Sequence, residues 1–243
     1  MNLEPLTYTA IAACANLLGA AAVVSHSRWS VRALETMVAL SAGFMVSVAL
    51  LDLAPDAIST HGESAAVVIL IGYLLVHLTQ HTLAPHFHFG EEVHAVTKVV
   101  SFSALAGLML HTFVDGVAIA SGFGVSTSLG MLVFFAILLH KLPEGLAISS
   151  LFLASGESRG AALAASAALA ISSLVGAVLT QQVPILGQYG LPLAAGVTLY
   201  VGASNLVPEF QGKSGWRLPI SFFLGCGLYY LARILIGASQ AGF

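Results

Sequence analysis

The chain has 243 residues, of which 58% are hydrophobic and 8% charged, and its formal net charge is -3. A soluble globular domain carries about 25% charged residues, so the composition excludes water as the main solvent and points to a lipid bilayer. The eight Lys and Arg are scattered singly, which gives no basic face for nucleic acid and excludes that class of partner.

An apolar run of roughly 20 residues crosses the hydrocarbon core as a helix. Polar punctuation divides the sequence into eight such runs, at 5–26, 32–57, 64–84, 98–123, 127–153, 160–181, 188–210 and 217–238. The expected fold is all-α, a polytopic membrane protein with eight transmembrane helices in a single domain over 1–243.

The N-terminus carries Glu4 and Pro5 and no positive region, which predicts no cleavable signal peptide. Cys14 in span one and Cys226 in span eight lack CxxC or Cys/His spacing and are expected to be small buried apolar residues. Span two closes on Asp52 and Asp56, four residues apart, and Glu63 follows. Like-signed charge in a cleft concentrates counter-ions, so these carboxylates suit an outer vestibule for cations; for Asp56 a solvated helix end is an equal reading. Span three ends with His77 and His81, and the long connection at 84–97 adds His86, His88 and His94. Clustered imidazoles receive or sense a metal ion, so this His-containing loop is expected at the cytoplasmic exit.

Spans four and five carry most of the ionisable groups at bilayer depth, where such groups are costly and by default functional. Each has a His followed four residues later by a carboxylate, His111 with Asp115 and His140 with Glu144. That spacing puts both groups on one helix face. Counting 1.5 Å per residue from Lys98 and from Ser155 puts His111 and His140 roughly 20 and 22 Å deep, both near the midplane. Two imidazoles and two carboxylates suit Zn²⁺, and also Fe²⁺, Mn²⁺ or Cd²⁺. The alternative is a buried ion pair that only locks two helices. Pro143 removes a backbone donor and is expected to free the carbonyl near Leu139 toward a polar cavity. Gly116 and Gly145, each after a carboxylate, permit close helix approach. Span six is rich in small residues, which membrane helix packing favours. Glu209, at the end of span seven, either lines the exit or is a solvated helix end.

Arg28, Arg32, Lys98, Arg159, Lys213 and Arg217 fall at the connections after spans one, three, five and seven. Basic residues favour the cytoplasm, so all four connections are assigned there and both termini are expected to be extracytoplasmic.

HxxxDG in span four, HKLPEGLA in span five, LYVGASNLVPE in span seven and AGFMVSVALLDLAPDA in span two together resemble the signature helices of the ZIP (Zrt/Irt-like) metal transporter family. The resemblance implies transport of a divalent transition metal, zinc first, toward the cytoplasm, through a site made by His111, Asp115, His140 and Glu144. It also suggests an elevator-like movement. The chain is expected to be an integral protein of the cell (inner or plasma) membrane, with room for a homodimer. Thr112 and Lys141 depart from the family pattern, which has Asn and Asp there for a second metal position. Lys141 is expected to set its ammonium where a second cation would sit, or else to pack only its stem.

The rivals are an intramembrane metal-dependent hydrolase and a metal-gated sensor or channel. The sequence has no HExxH, and no Ser or Cys nucleophile stands out beside His111 or His140, so the reading is a transporter and not an enzyme.

Overall fold

A computed structural model describes residues 2–25, 31–82, 98–211 and 213–241, and among these all regular structure is helical. The helices are α1 (Leu3–Val24), α2 (Val31–Val48), α3 (Ala54–His61), α4 (Glu63–Thr82), α5 (Lys98–Val125), α6 (Thr127–Ala154), α7 (Arg159–Gln182), α8 (Pro184–Leu199), α9 (Pro208–Gln211) and α10 (Arg217–Ala241). Two π-helical segments, Ala49–Leu53 and Tyr200–Leu206, join α2 to α3 and α8 to α9.

Local chemistry explains the boundaries. The Asn2, Ser126 and Ser158 side chains each accept a backbone N–H of the first turn of α1, α6 and α7, at 3.1 Å, which satisfies donors that a helix start leaves orphaned. The turn after α6 runs through Gly156 at φ +82°, a conformation that glycine adopts without strain. Each π segment ends just before a proline, Pro55 or Pro208.

Among the described residues, seven helices are long and apolar enough to cross a membrane, and the third expected span is represented by a shorter apolar helix, Glu63–Thr79. Large apolar side chains face outward, as with Phe223, 70% exposed on α10. Polar groups such as Thr9, Asn16, Ser166 and Ser173 are buried instead. That inversion of the soluble pattern is what a hydrocarbon solvent selects. The expected burial of both cysteines does not hold. Cys14 is exposed and Cys226 half-buried, both as free thiols, since a small apolar thiol is as acceptable beside lipid as in a core.

The helices pack as two groups. In one, α5 lies on α7, α1 lies on α6 and on α7, and α5 meets α6; in the other, α2 lies on α10 and α4 on α8. The four principal pairs touch backbone to backbone at glycines. A Cβ on Gly116 would lie 1.8 Å from the carbonyl oxygen of Ser173, and one on Gly176 would lie 2.0 Å from that of Phe113, so α5 and α7 each present a glycine to the other. Gly145 does the same against Asn16 and Gly19 against Leu142, and reciprocal glycines also join α2 to α10 and α4 to α8.

These contacts reveal an internal repeat. Asn16 and Gly19 of α1 have counterparts in Ser173 and Gly176 of α7, and Phe113 and Gly116 of α5 in Leu142 and Gly145 of α6, each pair at a fixed sequence separation. In the second group, Leu40 and Gly43 match Leu193 and Gly196, while Ile69 and Gly72 match Phe222 and Gly225, all at one common separation. The two π segments with their following prolines obey that separation too, so Asp52, Pro55 and Asp56 stand opposite Asn205, Pro208 and Glu209. The chain therefore contains two copies of one helix arrangement, exchanged across the α5–α6 pair.

Candidate metal centre

The centre is built on α5 and α6, which follow one another across a single residue, Ser126. His111 and Asp115 share one face of α5, and His140 and Glu144 one face of α6. All four are buried, and each offers a ligand atom such that these atoms lie within 4.8 Å of one another. The Asp115 Oδ2 atom is the hub, with His111 Nε2 at 3.5 Å and His140 Nε2 at 3.4 Å. The two rings are 5.5 Å apart between centroids.

The imidazoles are held differently. His140 Nδ1 faces the Ala136 carbonyl at 3.0 Å, which leaves Nε2 of the ring turned to Asp115 and the centre. His111 Nδ1 is buried with no hydrogen-bond partner among the described residues, while Nε2 of the same ring is the nitrogen that faces Asp115.

Lys141 enters the same centre. Its ammonium lies 2.7 Å from Asp115 Oδ2 and 3.0 Å from Glu144 Oε2, and the side chain is 1% exposed. The ammonium thus bridges the two carboxylates rather than turning away with only its stem packed. A buried charge pair of this kind satisfies groups that would be expensive to leave alone in hydrocarbon. With neutral imidazoles the centre carries one net negative charge. Thr112, also buried, turns its hydroxyl to the Met109 carbonyl of its own helix at 3.2 Å.

Two contributors escaped the sequence reading. Asn16 of α1 donates from Nδ2 to Glu144 Oε1 at 3.0 Å, and Ser166 of α7 donates to Asn16 Oδ1. An isolated amide at bilayer depth is the signal that could have found Asn16. The carbonyl that Pro143 frees, Leu139, does not face a polar cavity as expected. It accepts the Ser41 hydroxyl of α2 at 2.9 Å, because α2 packs directly on this part of α6.

Asp52, Asp56 and His77 are engaged away from the centre. Asp52 is buried and already engaged, accepting from Tyr229 Oη at 2.7 Å and pairing with Arg233 at 3.2 Å. Asp56, half-buried, stands one turn beyond in α3, where its backbone carbonyl accepts the Ser59 and Thr60 hydroxyls. His77 is exposed on α4 with its ring nitrogen 3.3 Å from Tyr200 Oη. His86, His88 and His94 lie outside the described residues, as do the side chains of His81 and Glu209.

Comparison with known proteins adds an independent line. The profile of the family described as ZIP Zinc transporter matches residues 86–231. Similar curated proteins include zinc transporter zipt-7.2 of Caenorhabditis elegans, 25% identical over 57% of this chain and 32% of the relative. Human zinc transporter ZIP13 is 28% identical over 54% and 40%, and zinc transporter ZIP9-A of Xenopus laevis 26% identical over 63% and 55%. The chain thus spans between a third and just over half of the length of these relatives.

Proposed function

The chain belongs to the ZIP zinc transporter family, and from that premise we propose that it carries a divalent transition metal ion, zinc foremost, toward the cytoplasm through the centre on α5 and α6. The observation that carries this reading is the convergence of four buried ligand groups, His111, Asp115, His140 and Glu144, from two adjoining membrane helices. Nitrogen and carboxylate donors in this number match the coordination that Zn²⁺ takes, while Fe²⁺, Mn²⁺ and Cd²⁺ are further candidate cargoes of the same donors.

The incoming dication meets a centre that already holds a tethered cation. Lys141 lies between Asp115 and Glu144 on one side, so the cargo reaches the same two carboxylate oxygens from the imidazole side and the ammonium stands in for a second ion. One metal then crosses per cycle, and the carboxylates are never left bare when the carrier is empty. Thr112, bonded to its own helix, is a packing neighbour of this arrangement.

Two further features support a carrier over a channel. The helices that bear the centre pack with α1 and α7, and the remaining helices form a second group, the kind of division along which one body slides against another. In an eight-span bundle with both termini outside, the two copies of the repeat face the bilayer in opposite senses, as inverted repeats of alternating-access carriers do. Asp52 and Asp56 then belong to the outer mouth, and His77, His81, His86, His88, His94 and Glu209 to the cytoplasmic exit.

Radiolabelled Zn²⁺ uptake into sealed liposomes tests the reading, with His140→Ala and Glu144→Ala beside wild type. Saturable uptake that both substitutions abolish supports a carrier using this centre. Ohmic flux would indicate a channel, and undiminished uptake in both variants would remove the centre from the path.

A further inference from the structure

Among the described residues, the centre draws one polar contact from outside α5 and α6, and its geometry constrains how Glu144 can bind an ion. Asn16 is 1% exposed, and its amide is fixed end for end. The Glu144 carboxylate can only accept, so the Nδ2 end must face it, where it donates to Oε1, and the opposite end, Oδ1, accepts from Ser166. Gly145 locks the spacing, since it leaves α6 lying on the Asn16 backbone carbonyl. The two Glu144 oxygens are thus divided: Oε1 accepts from Asn16 on the α1 side, and Oε2 accepts from Lys141 and turns to the centre. Asp115 likewise directs a single oxygen, Oδ2, to both imidazoles.

Two imidazole nitrogens and two single carboxylate oxygens make a four-ligand set, which is the preferred number for Zn²⁺. Ions that take six or more ligands gain them from flexible sites in which carboxylates bind through both oxygens. Freedom of Glu144 to swing into a two-oxygen mode is what such an ion would need, and the Asn16 amide opposes that swing.

We propose that Asn16, held by Ser166, is a specificity-determining positioning residue that keeps Glu144 a one-oxygen ligand and so favours Zn²⁺ over ions of higher coordination number. The repeat shows that this is not generic packing. The counterpart of Asn16 is Ser173, whose hydroxyl is spent on the Leu169 carbonyl of its own helix at 3.4 Å. Asp115, one methylene shorter and held by three cationic or imidazole groups, has no such amide; the longer, looser Glu144 has one.

The inference rests on the centre's being the metal-binding site, and the test separates the two. Calorimetric titration of the purified full chain in detergent with ZnCl₂ and with MnCl₂ is carried out for wild type, Asn16→Ala, Asn16→Leu and Ser166→Ala. Loss of an orienting partner typically weakens metal affinity roughly ten- to a hundredfold. Both Asn16 variants are expected to weaken Zn²⁺ by about tenfold while Mn²⁺ weakens less, so the Zn²⁺ to Mn²⁺ preference falls by at least about threefold. Ser166→Ala should move the preference the same way by a smaller factor. Asn16→Leu keeps the branched shape of the side chain but removes the donor, so it reads the hydrogen bond even where Asn16→Ala fails to fold. An unchanged preference in Asn16→Leu overturns the proposal while leaving the centre intact. Failure of wild type to bind either ion overturns the centre, and the proposal with it.

Discussion

The Ser41 hydroxyl on α2 donates to the Leu139 carbonyl on α6 at 2.9 Å, and Pro143 is the reason that this carbonyl is available. Proline has no N–H to return to the residue four positions earlier. The bond ties the helices that carry the centre to the other helix group, whereas the remaining interhelical bonds named above stay within one group. Ser41→Ala would leave a buried acceptor without a partner, at a cost of about 1–3 kcal/mol. Melting in detergent should fall accordingly, and unchanged melting would mean that another donor reaches Leu139.

Lys141 is the second target. Removing one member of a buried charge pair costs roughly 3–5 kcal/mol because its partners stay charged and unpaired. Lys141→Met is therefore expected to be markedly less stable than wild type without metal, and to regain more stability from added Zn²⁺. Lys141→Asp replaces the tethered cation with a ligand, and metal analysis of the purified protein should rise from about one ion per chain toward two. A stoichiometry that stays at one would show that the ammonium does not hold a cation's place.

The glycine contacts make a prediction about assembly. A Cβ at Gly145 would lie 1.9 Å from the Asn16 carbonyl oxygen, while one at Gly124 meets nothing within 4 Å. Overpacking of a fitted interface costs about 1–3 kcal/mol. Gly145→Ala should lower the yield of monodisperse protein in size-exclusion chromatography, and Gly124→Ala should not. Equal yields would mean that α1 and α6 can separate freely.

Acid should slow transport. Imidazole and carboxylate ligands bind a metal only when deprotonated, so protons and cargo compete, and affinity falls as pH falls. Initial Zn²⁺ uptake at about pH 5.5 is expected to be several-fold below that at about pH 7.5, across the range in which histidine titrates. Rates that match at both values would indicate that metal binding does not limit uptake.

What the sequence made legible is what is local along a helix. His111 with Asp115 and His140 with Glu144 sit four residues apart, a spacing that fixes a shared face before any tertiary structure is known. The spans were legible for a related reason, since each must be apolar along its own length. Asn16, Ser166 and Ser41 were not legible, because their partners lie 128, 150 and 98 residues away and nothing in the intervening sequence encodes the meeting. Arg233 is a lone charge in the interior of span eight, and its partner Asp52, with Tyr229 joining from α10, is defined by packing alone.

The paired glycines also bear on how a catalogue of variants should be organised. Since α1, α2 and α4 have counterparts in α7, α8 and α10 at fixed separations, substitutions fall into couples: the same lesion introduced once in each copy of the repeat. Differences in outcome within a couple, such as Asn16 against Ser173 or Asp52 against Asn205, would isolate what makes transport directional from what merely keeps the bundle assembled.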